Sequence, residues 1–405
     1  MERIAVIGAG ASGCFCAVNV KVARPDAELT LYEAASGPMA KLALTGGGRC
    51  NLTNTFSGVD SLRDVYPRGF NLMKRVLSAF SPADCREWFE NEGVRLYSQE
   101  DGRVFPESDD AGEIVNLLSN RMRGTGVELH CRHKVIGIRK EDSFILDFDG
   151  RPSVAADAVV VASGGGTAEL LGGLGLKTVP QVPSLFSFRI NNDALRSLTG
   201  TVVPEAALGF AGTNFKSSGE LLLTDWGVSG PSVLRLSSYA ARWLADAGYK
   251  ADLTVNWTGT GENEVREWLM KTAAANGLKQ VSSIHPEGIS GRVWKHILSR
   301  AGIRDGLRWS ELGGKSVNRC IASMTADLYG MVGRCRFKDE FVTCGGVDLS
   351  EVNASTMEAR RCPGLFLTGE VLDIDAVTGG FNLQAAWSTA YVAGKAISER
   401  FPSHF

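Results

Sequence analysis

The chain begins Met1-Glu-Arg-Ile-Ala-Val-Ile-Gly8-Ala-Gly10-Ala-Ser12-Gly13, an order that few folds tolerate. Apolar residues over 4–7 fit a buried strand. A G-x-G-x-x-G turn follows, then an apolar helical pattern over 14–22, then a second strand over 28–32 that ends on Glu33. Each part suits a dinucleotide. Gly8 permits the tight turn, Gly10 lets a pyrophosphate approach the backbone, and Gly13 lets helix and strand pack closely. The helix N-terminus at Ala11 and Ser12 offers unpaired N–H groups and about half a positive charge to phosphates. Glu33 stands twenty residues past Gly13, where a carboxylate can accept from ribose hydroxyls.

Two further glycine clusters continue the pattern. The first is Lys41-Leu-Ala-Leu-Thr-Gly46-Gly47-Gly48-Arg49-Cys50-Asn51-Leu-Thr-Asn54. Three consecutive glycines make a poor core but a good backbone to drape over a flat ring or a pyrophosphate. Lys41 and Arg49 would offset phosphate charge, and the Asn51 and Asn54 amides suit a heteroaromatic edge. The second is Gly369-Glu370-Val-Leu-Asp-Ile-Asp375-Ala-Val-Thr-Gly379-Gly380-Phe381-Asn382-Leu383-Gln384. Gly379 and Gly380 stand just before a closing helix over 383–400, whose N-terminal N–H groups would face whatever lies there. If that is the N1/C2=O end of an isoalloxazine ring, the helix dipole favours the reduced, anionic form. Asp375 suits a ribityl hydroxyl.

Between these clusters the pattern is mixed. A loop over 34–68 precedes helices over 70–80, 82–91 and 109–123. Short strands fit 94–97, 103–105, 127–131, 134–139 and 143–149. An apolar strand over 158–162 suits the centre of a parallel sheet and ends in Ser163-Gly164-Gly-Gly. From about 188 to 334 strands (187–190, 205–210, 220–224, 251–257) mix with helices (231–245, 262–275, 292–299, 315–328), which suggests an inserted α+β domain. Strands over 341–347 and 364–367 then return to the first domain.

With 405 residues, two or three domains are expected. A net charge of −2 gives no general attraction to nucleic acid or anionic membrane. Glycines break the apolar run over 4–20 and Glu2 precedes it, so it is read as neither a signal peptide nor a membrane span. The nine cysteines form no C-x-x-C pair, and an odd count without a framework suggests reduced thiols in a soluble, cytoplasmic protein without a metal site.

The segments 41–54, Gly102-Arg-Val-Phe-Pro106, Ser163-Gly-Gly165, Ser229-Gly-Pro231 and 369–384 occur in an order that carries a resemblance across nearly the whole chain. It resembles a bacterial family of NAD(P)/FAD-dependent oxidoreductases that includes aminoacetone oxidase and a 3-dehydro-bile-acid reductase. Two departures stand out: the loop after Gly165 is shorter than in many relatives, and Thr224-Asp225 replaces a Thr-His pair, so no role of that histidine carries over.

The resemblance implies non-covalent FAD and an α/β fold. A discontinuous, three-layer ββα Rossmann-like FAD-binding domain would comprise 1–187 and 335–405. The inserted substrate or lid domain over 188–334 would have a β-barrel-like part (188–257 and 313–334) and a helical part (258–312). Expected cofactor contacts are the residues numbered in the three glycine clusters from Gly8 to Leu383, together with Ser163, Gly164 and Val135.

Cys50, beside the triple glycine, is a weak catalytic candidate and reads first as a small buried thiol; Tyr66 and Arg68 are equally weak. The expected reaction is hydride exchange between flavin N5 and a small organic substrate. Reduction of an activated C=C bond, with NAD(P)H as a transient donor, ranks first. Oxidation of an amine or alcohol by O2 is the alternative. An FAD-containing RNA-modifying or sensing protein is the alternative of another class, with nucleic-acid and membrane partners not expected. The oligomeric state stays open.

Overall fold

The computed structural model describes residues 2–166, 168–335 and 342–401. The chain divides into two compact units, one built from both of its ends (Met1–Val182 with Val342–Phe405) and one from Pro183–Phe341.

The first unit is organised by a five-stranded sheet in the order Leu365–Leu367, Ala158–Val161, Arg3–Ile7, Glu28–Tyr32, Glu128–His130. Every pair is parallel. The strand Ala-Val-Val-Val over Ala158–Val161 is buried throughout, as a central parallel strand must be. Register matters for function here. Ile7 lies opposite both Tyr32 and Val161, and Val161 lies opposite Leu367. With His130 opposite Tyr32, all five strands end level, and the residues that follow them share one edge: Gly8, Glu33, Ala162-Ser163, Thr368 and Cys131.

The helix Ala11–Ala23 is buried along most of its length and packs chiefly on the closing helix Phe381–Arg400 and on Ala111–Thr125. The helices meet beside Gly394, where a Cβ would stand in ordinary contact with the Asn19 side chain at 3.5 Å. Phe15 anchors this layer, ringed by Phe80, Trp88, Phe89 and Trp387 at centroid distances of 4.7–6.0 Å. An antiparallel meander (Val135–Lys140, Phe144–Phe148, Arg151–Ala156) packs on the sheet through Phe144, against Gly364, and Phe148, against Tyr32.

In the second unit, six strands close into a barrel: Phe188–Ile190, Gly227–Ser229, Lys216–Thr224, Val202–Phe210, Ala251–Asn256 and Asp327–Arg334. Helices Glu262–Ala275, Gly291–Arg300 and Gly314–Thr325 share its core, where Trp257, Trp294 and Trp309 are fully buried.

Several elements differ from the sequence reading. The helix expected over 315–328 ends at Thr325, and the barrel strand Asp327–Arg334 follows. Val317, Cys320, Ile321 and Met324 form the buried helical stripe, and Leu328 falls on its next repeat, which disguises the change of period. The helix expected over 231–245 is two, Pro231–Tyr239 and Ala241–Asp246, broken at Ala240. The 34–68 loop holds a 3-10 turn (Leu42–Gly47), a strand (Thr53–Asn54) and a short helix (Leu62–Val65). The strand expected over 341–347 spans Val342–Val347, and Phe341 lies outside the described residues. Among the described residues no helix is long and apolar enough to cross a membrane.

Candidate functional site

At the level edge of the sheet, Gly8 takes φ +98°, and a Cβ there would sit 2.6 Å from the Ala162 carbonyl oxygen. A Cβ on Gly13 would stand 1.9 Å from the Gly8 carbonyl oxygen. Both glycines are thus fixed by packing within the protein. Gly10 is not: nothing lies within 4 Å of the Cβ it lacks. That space opens at the N-terminus of Ala11–Ala23, which no side chain caps.

Glu33 is held at the turn by two backbone donors. Ala9 N–H reaches one carboxylate oxygen at 2.8 Å and Ala35 N–H the other at 2.7 Å. Ionised, the group is an acceptor with lone pairs to spare. Around the same edge three buried hydroxyls have no partner: Ser12 Oγ, Ser163 Oγ and Thr368 Oγ1. Buried hydroxyls are normally bonded, so three together mark a place where something polar belongs. Gly369 closes over Ser12, its missing Cβ 3.0 Å from the Ser12 Cβ.

The two later glycine clusters meet each other. Asn51, its amide oriented to satisfy both neighbours, donates to Thr53 O (3.1 Å) and accepts from Gly380 N–H (3.0 Å). Asn54 Nδ2 donates to Gly379 O (2.9 Å), and its Oδ1 accepts from Phe56 N–H (2.8 Å). Both amides are therefore braces between the clusters. Asn382 clamps the same turn, accepting from Ala376 N–H and donating to Ala376 O, each at 2.9 Å. Tyr66, fully buried, donates to Phe381 O (2.8 Å). Gly47 and Gly48, with φ of +71° and +87°, face open space where Cβ atoms would stand. Leu383 continues this end of the closing helix.

The charged residues divide. Asp375, fully buried, forms a two-pronged ion pair with Arg68. Glu370 accepts from Thr343 N–H (2.6 Å) and pairs with Lys41 (3.4 Å), and it lies 3.3 Å from where a Gly164 Cβ would be. Arg49 turns to the Phe105 ring, 4.4 Å from its centroid. Val135 pairs with Phe148, whose ring meets Tyr32 at 4.9 Å, and so belongs to the Glu33 end. Cys50 is buried with φ +60°, and burial pushes its thiol up to about 12.

Two residues at this site escape a motif search. Gln181 accepts from Gly166 N–H (2.8 Å) while its Nε2 is buried without a partner. The Thr343 side chain crowds Gly165. Neither stands in a recognisable pattern; only the pairing of Thr178–Ser184 with Val342–Val347 puts them there.

The HI0933-like protein Rossmann domain matches residues 2–396. The chain belongs to the HI0933-like family. It is accordingly an FAD-dependent oxidoreductase. Among similar curated proteins, the 3-dehydro-bile acid delta(4,6)-reductase of Clostridium scindens is 29% identical over 99% of this chain and 100% of its own length. The ribosomal RNA dihydrouridine synthase of Escherichia coli is also 29% identical, over 98% of each chain. The 3-ketosteroid delta1-dehydrogenase from Sterolibacterium denitrificans, solved with 1,4-androstadiene-3,17-dione, matches 99% of this chain and 100% of its own with a TM-score of 0.53. At 11% identity, that likeness concerns the fold alone.

Proposed function

We propose that this HI0933-like protein reduces a C=C bond conjugated to a carbonyl in a small organic substrate, with NAD(P)H as electron donor. One observation carries the reading. The two 29% relatives have unlike substrates, yet their names describe the same chemistry. A delta(4,6)-reductase of a 3-dehydro bile acid and a synthase of dihydrouridine both saturate a C=C bond in conjugation with a carbonyl.

The residues present suit FAD. The space at Gly10 and the uncapped helix behind it would take the pyrophosphate. Glu33 would bind ribose hydroxyls through its remaining lone pairs, and Ser12, Ser163 and Thr368 would give their unpaired hydroxyls to the dinucleotide. Gly47, Gly48 and the turn braced by Asn51, Asn54 and Asn382 would line a flat ring. Glu370, rather than the Arg68-bound Asp375, has the freer carboxylate for a ribityl hydroxyl. When bound, FAD supplies two-electron exchange.

The chain's own part is orientation and exclusion of water. Cys50 and Tyr66 act by packing in this reading, since both are buried and burial keeps both protonated at neutral pH. Arg68 acts by holding Asp375. The sequence has no second G-x-G-x-x-G unit, so a nicotinamide would visit the flavin site instead of a domain of its own. A cytoplasmic location goes with the buried thiols of Cys14, Cys16, Cys50 and Cys85.

Anaerobic addition of NADH or NADPH to the FAD-loaded protein tests the reading. The flavin absorbance is expected to bleach and to return on adding an enone. A flavin untouched by either nucleotide, but bleached by an amine or alcohol and restored by O2, would replace the reductase with an oxidase.

The ribosomal RNA dihydrouridine synthases of Escherichia coli and Haemophilus influenzae, 29% and 25% identical over 98% of this chain, favour a second reading in which the C=C bond belongs to uridine in RNA. Net charge −2 weighs against it. RNA retained in a gel shift at physiological salt, and restoring the flavin colour, would move the assignment there.

A further inference from the structure

The Phe70–Ala79 helix and the segment over 349–360 flank an open groove of about 420 Å³. Both belong to the unit built from the chain's two ends. Half-buried Phe70 and buried Leu72 and Val352 give the groove an apolar floor, and exposed Arg75 and Arg360 stand at its rim. No Asp or Glu lines it.

The groove's polar character comes from the two cations at its rim. Arg68, Arg139, Arg300 and Arg361 each hold a carboxylate. Arg75 and Arg360 form no ion pair among the described residues. Arg75 is instead steered by Ser355, whose Oγ accepts from Nε (3.2 Å) and Nη2 (3.0 Å). That contact fixes the guanidinium without neutralising it. Two cations facing one concavity repel each other, and an anion between them converts the repulsion into attraction. The helix adds to the field, since its N-cap is Gly69 and no side chain covers its first N–H groups.

We infer that this groove binds an amphipathic organic anion. A phosphate ester or carboxylate would sit between Arg75 and Arg360, carried on a ring or apolar body that lies along Phe70, whose ring also carries the Arg63 guanidinium 4.2 Å from its centroid. The inference stands apart from the reductase reading, because none of these residues belongs to the dinucleotide edge.

Calorimetric titration of the FAD-loaded protein with AMP, 1-naphthoate and inorganic phosphate provides the test. At least one of the two ring-bearing anions is expected to bind with a Kd below about 1 mM. Inorganic phosphate, lacking the apolar body, should bind about tenfold more weakly or worse. Tighter binding of AMP identifies a nucleotide-type ligand, and tighter binding of naphthoate a carboxylic acid. The double variants Arg75→Ala/Arg360→Ala and Arg75→Gln/Arg360→Gln should each weaken binding by about tenfold or more while leaving the flavin spectrum unchanged. No heat from AMP or naphthoate at about 10 mM overturns the inference. So does affinity that survives in a folded double variant.

Discussion

Cys50 shows how a residue beside a glycine cluster can have the character of a packing residue. It follows three glycines, sits at φ +60° and is fully buried, and its thiol is pushed from an ordinary 9.0 up to about 12, chiefly by burial. At neutral pH it is a thiol, a poor nucleophile. The same shift ties stability to pH. An unfolded cysteine ionises near 9.0 while the folded one stays neutral until about 12, so the stability gained by keeping it neutral is whole below pH 9 and drains as pH rises toward 12. Between pH 8 and pH 10 this one residue should account for about 1 kcal/mol of the loss. Urea midpoints at those two pH values are expected to fall further apart in the wild type than in Cys50→Ser, and equal drops would show that the thiol ionises freely in the fold. At this scale the sequence was legible where a residue's position follows from spacing, as with Glu33, which stands at the end of its strand and accepts from Ala9 N–H. It was opaque where the role is a long-range pairing. Asn51 and Asn54 have the chemistry expected of ring-binding amides, but their bonds go to Gly380 and Gly379, more than three hundred residues away. Asp375 likewise spends its carboxylate on Arg68. No local pattern announces such partners, because the choice between ligand and neighbour is made by the tertiary fold.

The opening strand–turn–helix separates glycines fixed by packing from one that faces open space, which the motif alone cannot do. Gly13 is pressed against the Gly8 carbonyl, so Gly13→Ala must force helix and strand apart and is expected to cost about 1–3 kcal/mol or more. Gly10 has φ −80° and open space beyond it, so alanine fits there without strain and should leave the stability of the FAD-free protein within about 0.5 kcal/mol of wild type. Its methyl group would nonetheless occupy the space offered to a pyrophosphate. Gly10→Ala is therefore expected to weaken FAD binding by about tenfold or more at nearly unchanged stability, measured by fluorescence titration beside urea unfolding. Unimpaired FAD affinity in that variant would mean that the pyrophosphate does not lie over the turn. This element was the most legible in the chain because strand period, turn glycines and helix period all agree locally. The segment over 314–334 was the least legible. Its strand alternates buried Asp327, Tyr329 and Met331 with exposed neighbours, but an aspartate and two glycines dilute the pattern. Buried Asp327 accepts from Tyr329 on its own strand and from Arg300 and Trp257 Nε1 on distant elements.

Across the whole molecule, two cores share one chain. The unit built from the termini is held by its parallel sheet and the buried helices Ala11–Ala23 and Phe381–Arg400. The Pro183–Phe341 unit has its own continuous core, from Phe188 in the barrel to Trp309 among the helices. Separate cores give separate sources of stability, so heating should reveal two transitions instead of one. The edge proposed for the dinucleotide lies wholly in the first unit, with Gly8, Glu33, Ser163 and Thr368 following strands of one sheet. A ligand that binds one folded unit stabilises that unit alone, by about 2.7 kcal/mol when present at a hundred times its Kd. Added FAD should accordingly raise one calorimetric transition by several degrees and leave the other where it was. Limited proteolysis between the two transitions should then yield a protected fragment from the unit that melts last. The chain's two ends contribute neighbouring strands to one sheet, Ala158–Val161 beside Leu365–Leu367, so the FAD-responsive unit cannot form until the intervening residues have been made. A single transition that shifts as a whole with FAD would show that the two cores melt as one cooperative unit, and the division into separately stable parts would fall with it.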